Sequence, residues 1–406
     1  MSLIQIINDF LKVKLLDNSG NPIFTNQNPG KVEVVNNQQD SIHVDIPDEK
    51  KTPHPPKIDI EIITPDVHGG RLPSWLDNSG NYWASHQEDG LFKSEDNCKT
   101  WIKVADSPNT STAATSLMVS DEGIVIWGTG GRNVYKWDGA SWTTAFTFII
   151  GYSHQSYGYS KYKNVLLMTS YGSKDNTPSP KECYGSLDHG KTWNKIYDGG
   201  DMLGYHIHEA AYDPWGGRIW ISEGDIDRRQ LVYSDDFGKT WNKVWENYGE
   251  GIQPTQIIPT PHGVLFGSDQ VPDGIYYWER PKGVLNPIVR PEDIDRKYYL
   301  IEGEEQTGLI KNLFRRGWSN IESELEPTFL FAASPSTYGS PGFSRIIASD
   351  DGKNFHEIWK AHSEGDYIIR NLTGPYVNDE SKTFFGIIAV DGVGDCIIKG
   401  RYPKFL

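Results

Sequence analysis

The residues of this chain best suited to chemistry sit in one stretch, YHIHEAAYDPWGGRIWISEGD, Tyr205 to Asp225. His206 and His208 are two apart, so in an extended strand their imidazoles share one side while Glu209 points the other way. With His154 of the earlier stretch GYSHQSYGY they would supply three imidazoles for metal binding or proton transfer. Two histidines without a fixed third ligand are weak grounds for a metal, so the spacing predicts no metal site and no cofactor. The imidazoles are expected instead to hydrogen-bond strand ends or to line a sugar-binding surface. Carboxylates are plentiful nearby at Glu209, Asp213, Glu223, Asp225 and Asp227. Glycoside hydrolysis requires two of them about 5–9 Å apart across a sugar, and nothing in the spacing pairs them. Glu209, His206 and His208 are therefore catalytic candidates only. His154, Tyr157, Tyr205, Trp215 and Asp225 are the ligand-binding candidates, the aromatic faces among them being suited to stack on sugar rings.

The elements that must hold these residues are many short strands. The 406 residues include 41 Gly, 24 Pro, 14 Trp and 21 Tyr, a turn-rich and aromatic-rich composition that favours an all-β fold. An eight-residue pattern recurs: SLDHGKTW at Ser186 to Trp193 and SDDFGKTW at Ser234 to Trp241. Degenerate copies are SEDNCKTW at Ser94 to Trp101, with Cys98 in the glycine place, and ASDDGKNF at Ala348 to Phe355. Such self-similarity marks a repeat architecture. In a tight turn between antiparallel strands, Asp96, Asp188, Asp236 and Asp350 would accept backbone N–H bonds, and Gly190, Gly238 and Gly352 would supply a conformation that side chains oppose. Trp101, Trp193, Trp241 and Phe355 would then open the next strand and pack. Cys98 is expected to carry a conformational penalty or to alter its turn.

The pattern resembles the Asp-box, or bacterial neuraminidase repeat, of sialidase-like β-propellers. The resemblance implies a propeller whose boxes join the third and fourth strands of each blade, away from the ligand. Asp188 and Asp236 are 48 residues apart, Asp96 and Asp188 are 92 apart, and Asp236 and Asp350 are 114 apart. One blade with an eroded box belongs in the first gap, at VYKWDGASWTTA with Asp138 and Trp142. In the other gap GIYYWERP, from Gly274, reads as an outer strand and RPEDIDRKYYLIEGEEQTGLIKNLF as a charged insertion. The C-terminal stretch from Asp366 reads as three strands, so KIDIEIITP, Lys57 to Pro65, is expected to close the ring as a fourth. The sum is seven blades, with six as the alternative. GRLPSWLDNSGNYWAS, Gly70 to Ser85, is similar to the segment opening the first blade of sialidases, which makes Arg71 the match to one carboxylate-binding arginine. The remaining arginines and the Glu and Tyr pair of that family have no assignable match, so sialidase activity is not expected.

The expected organisation is a small N-terminal β module at 1–46, a Pro and charge-rich linker at 47–57, and the propeller at 58–406. A module of that size has a marginal core and gains stability by self-association or by docking on a larger assembly. This layout is that of phage and viral appendage proteins. It suggests a recognition or structural protein, on a virion or otherwise extracellular, that binds carbohydrate such as a host-surface glycan. The alternatives are an extracellular glycoside hydrolase or lyase, and an intracellular protein-interaction scaffold in a cytoplasmic setting. A formal charge of -15 argues against nucleic acid as a partner. No run of 18 apolar residues is present, so membrane insertion is not expected, and the first residues lack the features of a signal peptide. Cys98, Cys183 and Cys396 are too few and too scattered for a disulfide framework or a zinc knuckle.

Overall fold

The computed structural model describes residues 32–35, 41–44, 60–63, 74–153, 158–172, 181–199, 206–224, 229–245, 250–268, 274–299, 312–319, 329–335, 343–352, 354–362, 366–373 and 383–402. The chain divides into two compact units, Met1–His54 with Leu406, and Pro55–Phe405. In the first unit the described residues form one antiparallel pair, Val32–Val35 with Ser41–Val44.

The second unit is a seven-bladed β-propeller, each blade being four antiparallel strands. Blade 1 runs Ser74–Leu76, Tyr82–His86, Gly90–Ser94 and Ile102–Ala105, and blade 2 runs Ala114–Val119, Val125–Thr129, Asn133–Trp137 and Trp142–Thr147. Blade 3 comprises Tyr159–Tyr162, Val165–Thr169, Glu182–Ser186 and Asn194–Asp198; blade 4 comprises His206–Asp213, Arg218–Gly224, Gln230–Ser234 and Asn242–Lys243. Blade 5 is Pro254–Thr260, Gly263–Ser268, Gly274–Glu279 and Ile294–Tyr299, and blade 6 is Asn312–Ser319, Phe329–Pro335, Arg345–Ser349 and His356–Lys360. Blade 7 takes Tyr367–Thr373, Thr383–Val390 and Gly394–Arg401 from the C-terminal stretch and Ile60–Ile63 from near the other end of the chain. That borrowed strand covers the edge that Gly394–Arg401 would otherwise expose, as the alternation of KIDIEIITP predicts.

The core lies between blades. In Phe329–Pro335, Phe329, Phe331 and Ala333 pack toward blade 5 while Leu330 and Ala332 pack toward blade 7, all buried. A strand covered on both faces must be apolar at every position, which the run FLFAA satisfies. Among the described residues six such clusters fill the junctions around the ring, one of them spanning blades 1 to 3 and the last joining Tyr82 and Cys98 of blade 1 to Phe385 and Ile397 of blade 7.

Each repeat turn joins the third and fourth strands of its blade. In blade 3 the Ser186 hydroxyl donates to Asp188 Oδ1 at 2.8 Å and accepts the Gly190 N–H at 2.9 Å. Asp188 Oδ1 takes the Thr192 N–H at 2.9 Å and Oδ2 takes the Thr192 hydroxyl at 2.6 Å. Blade 4 repeats this with Ser234, Asp236, Gly238 and Thr240. The turn needs two successive residues with positive φ, His189 and Gly190 at +62° and +88°, or Phe237 and Gly238 at +57° and +88°. Blade 1 meets the same demand with Asn97 and Cys98 at +60° and +66°, so the cysteine copy keeps the turn rather than altering it. The closing aromatics Trp101, Trp193, Trp241 and Phe355 each join the core between their own blade and the preceding one.

Three expectations are corrected. In blade 6 the turn is built by Ser349 and Asp351, not by Asp350: Ser349 donates to Asp351 at 3.1 Å and accepts from Gly352, and Asp351 holds Asn354 at 2.8 and 2.6 Å. This turn is one residue shorter between carboxylate and glycine, which slides the pattern by one. GIYYWE is the third strand of blade 5, not the outer one. The outer strand is Ile294–Tyr299, inside the stretch read as a charged insertion, and the true excursion is Arg280–Asp293, where the turn pattern is missing.

Candidate functional site

Strand alternation decides which residues can meet. In a four-stranded antiparallel blade the turns from first to second and from third to fourth strand lie at one end, so the starts of the first and third strands lie at the other. The repeat turns, with Asp96, Asp188 and Asp236, thus occupy the end opposite to His206, which starts the first strand of blade 4. Trp215 follows that strand at Asp213, roughly 23 Å from His206 at about 3.3 Å per residue. The structure therefore separates Trp215 from the histidines, a correction to its grouping with them. Asp213 is held there by the N–H groups of Trp215 and Gly216 and by Arg280 at 2.5 Å; burial pushes its carboxyl up, and Arg280 opposes this. Beside it Arg218 forms a bidentate pair with Asp235 at 2.6 and 3.0 Å and donates to the Pro287 carbonyl, tying the Arg280–Asp293 excursion to blade 4.

At the histidine end, the side chains of blades 3 and 4 interlock. His206 Nδ1 lies 2.8 Å from the Gly172 carbonyl oxygen and must carry the proton, because a carbonyl only accepts. In the neutral ring its Nε2 is then an acceptor, and His208 Nε2 donates to it across 3.1 Å. Both rings are buried, at 4 % and 2 % exposure. A β-bulge between Ile207 and Glu209 interrupts the pairing, with His208 as the extra residue. The Tyr171 ring packs on His206 with centroids 3.9 Å apart, and Tyr152 meets Tyr171 edge-on. Gly224 opposes His206 in the sheet, and a Cβ there would fall 2.2 Å from the His208 ring. Glu209 is buried too, its Oε1 accepting the N–H of Ala210 at 3.1 Å.

A second cluster at this end has no sequence signal. Lys181 Nζ lies 2.9 Å from Glu223 Oε2, and the Tyr197 hydroxyl donates to Glu223 Oε1. Lys181 and Glu223 are 1 % and 0 % exposed on their side chains, enclosed against the backbone of Gly199. Next to Lys181, Glu182 accepts the Ile149 N–H at 2.6 Å and faces Lys195 at 3.4 Å. Glu182, Tyr197 and Glu223 come from three different strands, with Lys181 just before the first of them, and Lys181 and Glu223 are 42 residues apart, so only the fold brings them together.

The candidates Arg71, His154, Tyr157, Tyr205 and Asp225 lie outside the described residues, as does Asp227. Among the described residues, no group of three or more His, Cys, Asp or Glu side chains converges as a metal set would. No helix among them is long and apolar enough to cross a membrane.

Fold and site together define a seven-bladed propeller in which His206, His208, Lys181 and Glu223 are enclosed where blades 3 and 4 meet. No family model matches the chain, and no curated protein sequence does. Solved structures share its fold. YCF48 bound to a D1 peptide superposes with a TM-score of 0.52 at 11 % identity, over 86 % of this chain and 99 % of that one. A chain of a mitotic checkpoint complex gives 0.51 at 12 % identity, over 91 % and 99 %. The GH74 enzyme of Niastella koreensis gives 0.52 at 10 % identity, over 82 % of this chain and 55 % of that one. At these identities the likeness is one of fold alone.

Proposed function

We propose that this protein is a non-catalytic recognition propeller that binds carbohydrate, such as a host-surface glycan, and is carried on a virion or another extracellular assembly through its N-terminal unit. The observation that carries the non-catalytic part is enclosure. His206, His208, Glu209, Lys181 and Glu223 are each at most 5 % exposed and bonded to protein partners, whereas a general acid or nucleophile must reach a reacting atom. The carbohydrate part rests on the sequence expectation for Tyr157 and Tyr205 and on Tyr171 and Tyr152, whose rings pack beside His206. The geometry of the Ser-x-Asp turns supports the resemblance to Asp-box propellers, a fold that serves binding and hydrolysis alike.

A protein partner is the second reading, favoured by one feature at the opposite end. The Arg280–Asp293 excursion exposes Val284, Leu285 and Ile288 while Arg218 and the buried Val289 hold its base. A glycan array probed with labelled protein tests the primary reading. Selective binding of one glycan class supports it; a blank array, with capture of protein partners instead, overturns it for the second.

A further inference from the structure

We propose that Tyr162, Tyr212 and Trp215, at the repeat-turn end of blades 3 and 4, form a second sugar-binding surface, and that it takes a neutral hexose chain. The proposal rests on the carbohydrate reading and gives it a ligand class. Tyr162 closes the first strand of blade 3, before the tight turn of Lys163 and Asn164, and Tyr212 lies one residue before the end of the first strand of blade 4. Both strands finish at the repeat-turn end, so the two rings meet across the seam between the blades, with centroids 6.1 Å apart and planes tilted by 46°. Trp215 follows three residues after Tyr212, in a turn that Asp213 fixes by accepting the Trp215 and Gly216 N–H groups. The exposed Lys163 holds its ammonium 5.3 Å from the centre of the Tyr162 ring.

All three aromatic residues are half-buried, so each is held by the fold and still meets solvent. Among the described residues no protein group bonds the two tyrosine hydroxyls or the Trp215 indole N–H, whereas the indoles of Trp193 and Trp241 donate to backbone carbonyls. A sugar ring presents C–H groups on its face and hydroxyls at its edge, which aromatic faces bordered by hydroxyl, indole and ammonium groups match. Three half-buried rings leave about 200 Å² to solvent, well short of the roughly 800 Å² that each partner gives to a stable protein interface. That area suits one or two sugar rings. The formal charge of -15 repels an acidic chain as it repels nucleic acid, which leaves a neutral one.

Hydrogen exchange of the full chain with and without millimolar cellohexaose or mannohexaose tests the proposal, with hexagalacturonate as the acidic control. A neutral chain should slow exchange at 162–165 and 212–217 and bind at least tenfold more weakly to Trp215→Ala and to Tyr162→Ala, each with an unchanged circular dichroism spectrum. Hexagalacturonate should protect neither segment. Absence of protection there by both neutral chains overturns the surface, whether or not any variant folds, and so does undiminished affinity in the two folded variants. Equal protection by hexagalacturonate overturns the ligand class. In each of these cases a positive glycan array leaves the carbohydrate reading standing, and a blank array removes that reading as well.

Discussion

Removing the Lys181 ammonium leaves the Glu223 carboxylate with no paired cation among the described residues at the junction of blades 3 and 4. The pair is buried at 1 % and 0 % exposure, so water cannot replace the lost partner. Breaking such a pair from one side costs about 3–5 kcal/mol. Tyr197 still donates to Glu223, which places Lys181→Met near the lower end of that range. At roughly 2 °C of melting temperature per kcal/mol for a chain of this size, the expected loss is about 6 °C. Adding Glu223→Gln removes the stranded charge while its amide oxygen still accepts from Tyr197, and should restore at least about 2 kcal/mol. Thermal unfolding of the two single variants and the double variant forms the cycle. A loss under about 1 kcal/mol in Lys181→Met, or a double variant as unstable as the sum of the singles, would refute the coupling.

Asp96 and Asp236 are held down to about 2 from 3.8, Asp96 foremost by the Thr100 hydroxyl and Asp236 foremost by the Thr240 N–H. A depressed folded value stabilises above the unfolded one, so the difference in melting temperature between wild type and Asp236→Asn should be full above about pH 5 and vanish as pH falls toward 2; a pH-independent difference would contradict this. Gly238→Ala places a Cβ 2.5 Å from the Ile196 carbonyl oxygen at φ +88°, and should cost about 2 kcal/mol or more in thermal melts, whereas Cys98→Gly stays within about 1 kcal/mol. Deleting residues 1–54 should leave the propeller's melting nearly unchanged, because Ile60–Ile63 still pairs with Gly394–Arg401. Deleting 1–63 exposes that edge and should lower melting and promote aggregation in light scattering.

The ring was legible where short-range chemistry writes it. A turn with two successive positive-φ positions, a carboxylate taking backbone donors and an aromatic wedge leaves Ser, Asp, Gly and Trp at fixed offsets, and Asp188 and Asp236 set the period. The closing strand was legible because alternation in KIDIEIITP matches a strand at a sheet edge. The blade 6 turn misled because Asp350 and Asp351 are adjacent, and only hydrogen-bond geometry tells which of them Ser349 serves. GIYYWE was misplaced because blade 5 has no turn motif to mark which strand precedes it. In the site, the shared side of His206 and His208 followed from strand period. Their mutual bond depends on a bulge and on Gly172 from another blade. Glu223 stood among the nearby carboxylates, but its pairing with Lys181 left no trace, since long-range pairs carry no local pattern. Trp215 was grouped with the histidines by nearness in sequence, which an eight-residue strand converts into distance.

We propose that this propeller binds carbohydrate without turning it over. The most direct measurement is mass spectrometry of an array-selected glycan before and after prolonged incubation with stoichiometric protein. The glycan is expected to be retained by the protein and recovered intact, with no change in mass or linkage. Cleaved or unsaturated products that disappear with Glu209→Gln or Glu223→Gln would contradict it and identify a glycoside hydrolase or lyase instead.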